Sequence, residues 1–158
     1  MKRKPQWKVE IHISAPVAKV WDAVEDLTLI PQYHPDVRNV EYLSGQTKRA
    51  PGVAYKCVVP EGRKGWCVER VVEHIPNRKM SVAFPEDSWG MSQMFDDFLT
   101  ELTLEPREGN TTLVQLQSYY VPRGLKVRLM NVLLMRRLMS KTATLTLQGL
   151  GRLVEGQR

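Results

Sequence analysis

The residues of this chain that could carry chemistry begin with three histidines, His12, His34 and His74. His34 lies in the segment YHPD, and a histidine two positions before Asp36 could form a proton-transfer pair. The same segment is more typical of a proline-marked turn that packs against its neighbours, and we favour that interpretation. No acid, base and nucleophile set is recognisable, so the enzymatic chemistry of the chain stays open.

Metal and thiol chemistry have little support in the residue spacing. There is no H-x-H, H-E-x-x-H or C-x-x-C motif, so we expect neither a metal nor another cofactor. Asp96 and Asp97 are adjacent, and in a strand they would point to opposite faces. Cys57 and Cys67 flank a predicted hairpin turn, PEGRKG, and are expected to be reduced, buried thiols.

A different group of residues is typical of a binding site: polar or aromatic side chains that alternate with apolar ones in strand-like segments. The segments VAYKCVV, GWCVERVV and LVQLQSYY show this pattern, and PEDSWGMSQMF is a predicted loop with adaptable side chains. Such residues could equally lie on the open face of a sheet, because the sequence does not fix which face is concave. The candidate ligand-binding residues from these segments are Tyr55, Cys57, Trp66, Arg70, Trp89, Met94 and Tyr119.

The segment from Leu125 to Val154 contains no proline and is rich in leucine and methionine, which predicts a long helix that could break near its start. One face carries a basic stripe, and the opposite face mixes apolar residues with small polar ones. An unpaired buried polar group costs about 1–3 kcal/mol, so this mixture favours a helix that covers a cavity over one that covers a solid core. Threonines that bond their own helix backbone are the alternative. The candidates here are Met135, Met139, Thr142 and Thr146.

Length and charge narrow the function classes. The 158 residues fit one domain spanning 1–158, with a monomer or homodimer both open. The net charge is +6, but the basic residues are dispersed among turns, so nucleic-acid binding is not expected. No secretion signal and no run of about 18 apolar residues is present, so we expect a cytoplasmic protein.

The order of elements is strand, helix, short helix, six strands and a long helix. ISAPVAKVWDAVED predicts a strand followed by a proline-started helix, and YHPDVRNVEYL leads into the second strand. From Val37 to about Tyr120 short strands alternate with short turns, which indicates antiparallel pairing. We therefore predict an α+β fold with a sheet of about seven strands.

These segments, together with FDDFLTELTLEPREGNTTLVQLQSYYV and the leucine-rich tail, resemble the SRPBCC superfamily, and most closely its polyketide cyclase/dehydrase-like members. The superfamily also includes START lipid-transfer domains and birch-pollen-allergen-like proteins. The resemblance implies a helix-grip fold, in which a curved antiparallel sheet wraps the C-terminal helix around a central pocket.

The resemblance further implies a carrier or chaperone that binds a small hydrophobic or aromatic ligand, such as a lipid, quinone or polyketide. A polyketide cyclase or aromatase that uses the same cavity is one alternative. A membrane-associating lipid-transfer module is another, and it would use the Leu/Met-rich tail with its basic stripe. We disfavour membrane association at this stage, because the apolar face of the tail is expected to complete the core of the sheet.

Overall fold

The computed structural model describes residues 3–59 and 65–156. Within these residues seven strands form one antiparallel sheet in the order β1-β7-β6-β5-β4-β3-β2. The predicted α+β helix-grip fold is confirmed, whereas the PEGRKG turn lies largely outside the described residues. The strands are β1 (Trp7–Ile13), β2 (Asn39–Glu41), β3 (Ala54–Val58), β4 (Trp66–Ile75), β5 (Lys79–Asp87), β6 (Phe95–Arg107) and β7 (Thr111–Pro122).

Strands that follow one another in the chain are neighbours in the sheet, and the exception is β1, which pairs with the last strand β7. Ile13 lies opposite Thr112 and Trp7 lies opposite Ser118. Because side chains alternate along a strand, this register places Trp7, Val9, Ile11 and Ile13 on the face that meets the helices. Lys8, Glu10 and His12 point away from it.

Two helices follow β1 and close one end of the sheet. Helix α1 (Val17–Glu25) starts after Pro16, and a 3₁₀ turn (Leu27–Leu29) leads into the short helix α2 (Ile30–Tyr33). Trp21 is buried on the core side of α1. A further short helix, α3 (Met91–Met94), precedes β6, where the sequence had predicted a loop.

The C-terminal helix is continuous over residues 124–154. It consists of α4 (Gly124–Met130), a π turn (Asn131–Met135) and α5 (Arg136–Val154), so the predicted break is a local change of helix type. The turn holds the buried side chain of Asn131. Its Oδ1 accepts a hydrogen bond from the Tyr120 hydroxyl at 2.7 Å, and its Nδ2 donates to Gln6 Oε1 at 3.2 Å. Both halves of this buried amide are therefore satisfied.

The two ends of the C-terminal helix differ in their packing. The second half of α5 packs against β1 and against α1 and α2, with Leu147, Leu150 and Val154 buried in the core. Helix α2 comes so close that a Cβ atom at Gly149 would lie 2.2 Å from the Tyr33 carbonyl oxygen. The residues of α4 and the π turn are largely exposed, apart from Asn131. None of the helices within the described ranges combines the length and the apolar character needed to cross a membrane.

Candidate ligand-binding cavity

A cavity of about 500 Å³ lies between the inner face of the sheet and the C-terminal helix. This volume falls in the range of about 300–1,000 Å³ that is typical of small-molecule sites. The walls are mostly apolar, because every second residue of β5, β6 and β7 points inward. The sheet and the helix contribute, among others, Val82, Phe84, Phe98, Leu102, Leu116 and Leu147.

The helical wall includes the four residues that the sequence singled out in this segment, Met135, Met139, Thr142 and Thr146. The Thr146 hydroxyl donates to the Thr142 carbonyl oxygen at 2.8 Å. The helix therefore faces a cavity and at least one of its inner threonines bonds its own backbone, so both interpretations of the mixed face apply. A threonine bonded in this way adds no unsatisfied polar group to the wall.

Of the candidates in the strands and the loop, Cys57 and Trp89 also line the cavity. Trp89 stands at its rim with 44% of its surface exposed. Its indole ring packs against the backbone of Gly65, where a Cβ atom would lie 2.2 Å from the ring. The Trp89 ring can take this position only because residue 65 is a glycine without a side chain.

The remaining five candidates do not line the cavity. The alternation of side chains along the strands places three of them on the outer face of the sheet. On β4 the inward residues are Cys67 and Glu69, so Trp66 and Arg70 lie on the outer face. There the Lys56 ammonium lies 4.7 Å from the centre of the Trp66 ring. A shift of one residue exchanges the two faces of a strand, and the sequence could not fix that choice. Tyr119 lies on the outer face of β7 for the same reason. Met94 ends α3, and Tyr55 is fully buried behind the wall.

A buried polar cluster, made up of Arg49, Tyr55, Glu69 and Tyr33, forms part of the cavity wall. Arg49 Nε donates to the Tyr55 hydroxyl at 2.8 Å, and Arg49 Nη2 lies 3.8 Å from Glu69 Oε2. The Tyr55 hydroxyl donates a short hydrogen bond to the same Glu69 oxygen. The side chains of Arg49 and Glu69 are only 12% and 16% exposed. Because Arg49, Glu69 and Tyr33 line the cavity, the cluster adds a charged region to a mostly apolar pocket.

Burial sets the protonation states in this cluster. Loss of solvent raises the pKa of the Tyr55 hydroxyl well above its usual value, and it raises the pKa of Tyr33 as well. Burial alone would lower the pKa of Arg49, but the adjacent Tyr55, Tyr33 and Glu69 raise it well above its usual value. The cluster therefore contains a guanidinium that pairs with the Glu69 carboxylate, a neutral Tyr55 that donates to that carboxylate, and a neutral Tyr33 that accepts from Arg49.

His34 lines the same cavity, and burial lowers its pKa. The Asp36 backbone N–H donates to His34 Nδ1 at 3.1 Å. A neutral imidazole that accepts at Nδ1 carries its proton on Nε2, so His34 can offer an N–H donor to a ligand oxygen. The YHPD segment is thus both a turn and part of the wall, and Asp36 contacts the ring through its backbone.

Cys57 and Cys67 are free thiols that lie directly opposite each other on β3 and β4. Their sulfur atoms and a Glu69 carboxylate oxygen lie within 4.8 Å of one another, close enough to suggest a metal site. A hydrogen bond with Cys67, and burial, raise the pKa of the Cys57 thiol well above its usual value. Because Glu69 already pairs with Arg49 and accepts from Tyr55, this carboxylate is part of the polar cluster.

Trp7 adds a further polar group to the cavity wall. Its indole Nε1 is buried and has no hydrogen-bond partner in the part of the chain that the structure describes. Buried donors are nearly always paired, so this nitrogen calls for an acceptor such as a ligand oxygen or a water molecule.

The sequence analysis missed Trp7, Arg49 and Glu69 as site residues. Glu69 left a signal, because it alternates with the inward-facing Cys67 and Val71 on β4. Arg49 left none, because it lies in an irregular loop whose path only the folded chain defines.

Comparison with solved structures gives the same fold over nearly the whole chain. A START superfamily protein from Mycobacterium smegmatis has a TM-score of 0.68 at 15% identity, with 96% of this chain and 97% of that chain covered. Ara h 8.0201 gives 0.71 at 15% identity, with 96% and 97% covered. A protein from Thermus thermophilus gives 0.71 at 23% identity, with 94% and 95% covered.

No curated protein of similar sequence was found. A family model described as polyketide cyclase/dehydrase and lipid transport matches residues 4–155, which is nearly the entire chain. The fold, the cavity and this match agree, and the chain belongs to the polyketide cyclase/dehydrase and lipid transport family of the SRPBCC superfamily.

Proposed function

We propose that this protein is a carrier or chaperone that binds one small hydrophobic ligand in the central cavity. The observation that carries the proposal is a cavity of about 500 Å³ with mostly apolar walls and a polar cluster in which Arg49 and Glu69 are paired. Apolar walls of this kind bind by removing ligand surface from water, at about 25 cal/mol per Å². The family description, which includes lipid transport, supports the same function.

The polar groups indicate which hydrophobic ligands fit. His34 and Trp7 can each donate a hydrogen bond, through Nε2 and Nε1, and Trp7 has no acceptor among the described residues. Arg49 and Glu69 are already paired with each other, so they do not call for a charged ligand. The ligand class is therefore a lipid, quinone or polyketide with an apolar or aromatic body and at least one carbonyl or hydroxyl oxygen.

Native mass spectrometry of the purified protein, followed by extraction of any bound molecule, tests the proposal most directly. We expect a co-purified apolar compound that carries oxygen. Displacement of an environment-sensitive apolar dye by candidate lipids and quinones then ranks the ligands. A protein that binds neither dye nor any such compound would contradict the proposal.

Two threonines of the C-terminal helix provide a matched pair of variants for this assay. Thr146 lines the cavity and Thr144 is exposed, yet each hydroxyl bonds the carbonyl four residues earlier. Thr146→Leu should fill part of the cavity and weaken dye and ligand binding, with stability changed by no more than about 1–2 kcal/mol. Thr144→Leu should bind like the unmodified protein. Equal binding by the two variants, with a lowered thermal midpoint for Thr146→Leu, would show that the helix covers a packed core.

A cyclase or dehydrase that uses the same cavity is the second candidate. It is favoured by the presence of a hydrogen-bond donor, His34, and a carboxylate, Glu69, in one apolar pocket. A donor can stabilise an enolate while a carboxylate accepts a proton. The test is conversion of a poly-β-ketone substrate, which should exceed the spontaneous rate and fall in His34→Ala. Tight binding without conversion would leave the carrier as the function.

We further propose that residues 1–158 form one domain that works in the cytoplasm. Fractionation of cells that express the tagged chain tests the location.

A further inference from the structure

An exposed apolar stripe runs along the first part of the C-terminal helix. Leu125, Leu129, Val132 and Leu133 are 83%, 60%, 60% and 67% exposed. An α-helix turns by about 100° per residue. With spacings of four, three and one residues, the four side chains therefore fall within an arc of roughly 100° around the helix axis. Scattered exposed leucines are common on proteins, but a contiguous stripe marks an interaction surface. We call residues 124–138, which carry it, the docking segment.

The segment is held in place from its other side, so the stripe does not result from a loose helix end. Val127 and Met130 are half-buried, and Asn131 is 1% exposed and bonded to the Tyr120 hydroxyl. These three residues lie on the face opposite the stripe. The sequence-based argument against membrane association therefore fails here, because the apolar residues of the stripe do not complete the core.

Basic residues border the stripe on both sides. Lys126 and Arg128 flank it, and Arg137 and Lys141 follow in the next turns, all four exposed. No aspartate or glutamate occurs between residues 124 and 154. None of these four side chains takes part in the ion pairs found among the described residues. The docking segment thus combines exposed leucines with uncompensated positive charge.

The stripe continues into the mouth of the cavity. Leu138 is 49% exposed and also lines the cavity, next to Met135 and Met139. Trp89, on the facing loop, is likewise half-exposed and part of the lining. Exposed apolar residues of the C-terminal helix therefore extend from the stripe to a residue that lines the cavity.

We propose that the docking segment binds an anionic phospholipid surface, with the mouth of the cavity turned toward the bilayer. Exposed leucines flanked by uncompensated lysine and arginine match an interface where headgroups are negative and acyl chains lie just below. A second copy of the chain fits less well, because its stripe carries the same positive border and its net charge is also +6. Docking does not depend on the proposed function, whereas exchange of a ligand with the bilayer does.

Vesicle flotation tests the docking. We expect binding to phosphatidylcholine vesicles that contain phosphatidylglycerol, weak binding to phosphatidylcholine alone, and loss of binding as salt rises. Each basic residue near an anionic surface strengthens binding about fivefold. Reversing the charge of Lys126 and Arg128 to glutamate should therefore weaken binding by a factor of about 25 or more.

The apolar contribution has its own variant and control. Leu129→Glu combined with Leu133→Glu should abolish flotation, and because both sites are exposed the thermal midpoint should stay the same. Val72→Glu is the matched control, since Val72 is 53% exposed on the outer face of β4, away from the docking segment. This control should float like the unmodified protein.

Three results would overturn the proposal: equal binding to neutral and anionic vesicles, binding that survives the double leucine substitution, and no vesicle binding at all. In the last case, a dimer that the double leucine variant converts to a monomer would identify a second copy as the occupant. Dye binding in the cavity is measured on the same samples. Vesicle binding without dye binding would contradict the carrier function and leave the docking intact, and the reverse pattern would contradict the docking alone.

Discussion

Arg49→Met tests whether the polar cluster is held together by charge balance. Methionine keeps much of the side-chain length and removes the guanidinium, which donates to the hydroxyls of Tyr55 and Tyr33 and to the Val24 carbonyl. The Glu69 carboxylate would keep Tyr55 as its hydrogen-bond donor and lose its counter-ion. The substitution therefore leaves one charge in a pocket where only 16% of its side chain is exposed.

The size of the effect follows from this burial. Removing one partner of a buried pair costs about 3–5 kcal/mol, and partial solvent contact reduces this to about 2–4 kcal/mol here. One kcal/mol shifts the thermal midpoint of a chain of this size by about 2–4 °C. We expect Arg49→Met to lower the midpoint by about 4–16 °C in a calorimetric or fluorescence melt.

A double-mutant cycle separates the interaction energy between Arg49 and Glu69 from the effect of losing each side chain alone. Glu69→Gln strands the Arg49 guanidinium in turn, but it should destabilise less, because the amide oxygen can still accept from Tyr55 and Arg49 keeps its hydrogen bonds to Tyr55, Tyr33 and the Val24 carbonyl. Arg49→Met combined with Glu69→Gln should lose at least about 1 kcal/mol less than the sum of the single changes, since no charge is then stranded. Additive losses, or a loss below about 1 kcal/mol for Arg49→Met alone, would refute the reasoning. Arg3→Met is the control, because its ion pair with Asp97 is 58% and 66% exposed and should not affect the midpoint.

The remaining predictions concern packing, pH and thiol access. Gly149→Ala should cost about 1–3 kcal/mol, because its Cβ meets the Tyr33 carbonyl, whereas Gly151→Ala, with its nearest contact at 3.7 Å, should be neutral or stabilising in the same melts. Since burial lowers the pKa of His34, the unfolded state takes up its proton first, and stability should fall as the pH drops below about 6.5 toward the lowered folded-state pKa. His34→Asn should flatten that part of the pH profile, and an unchanged profile would contradict the assignment. The Cys57 thiol should react with a maleimide much more slowly in the folded protein than in denaturant, and equal rates would count against its burial.

Periodicity predicted the elements and their antiparallel pairing, because the strands of this protein are amphipathic and its turns are short, whereas the helix-grip arrangement followed from the family resemblance. The alternation in WKVEIHIS and the proline after Ile13 define β1 and the start of α1 without any long-range information. The C-terminal helix was equally clear, since 30 residues without proline have one dominant period. Its wall residues, from Met135 to Thr146, followed from that period.

The polar cluster could not be predicted because long-range pairing creates it. Arg49 precedes β3 in an irregular loop, and its partners come from β3, β4 and α2. Alternation in the sequence places Glu69 with Cys67 and Val71 on one face of β4 and Arg70 on the other, but which face is the inner one depends on the side of the sheet that the last helix covers. Only the assembled sheet distinguishes the two faces, by burying Glu69 and exposing Arg70.

The π turn between Asn131 and Met135 sets the rotational phase between the two halves of the C-terminal helix. In an uninterrupted α-helix, Leu125, Leu129, Leu147 and Leu150 would fall on nearly the same side, as one stripe roughly 60° wide. The extra residue of a π turn rotates everything after it by roughly a quarter turn, so the first pair faces outward and the second faces the core. Loss of one residue from this turn would bring both pairs into phase and turn the first toward the sheet. The exposed stripe therefore depends on the number of residues in this one turn. Deleting one residue that is not a leucine would remove the stripe, although the sequence would keep all of its leucines.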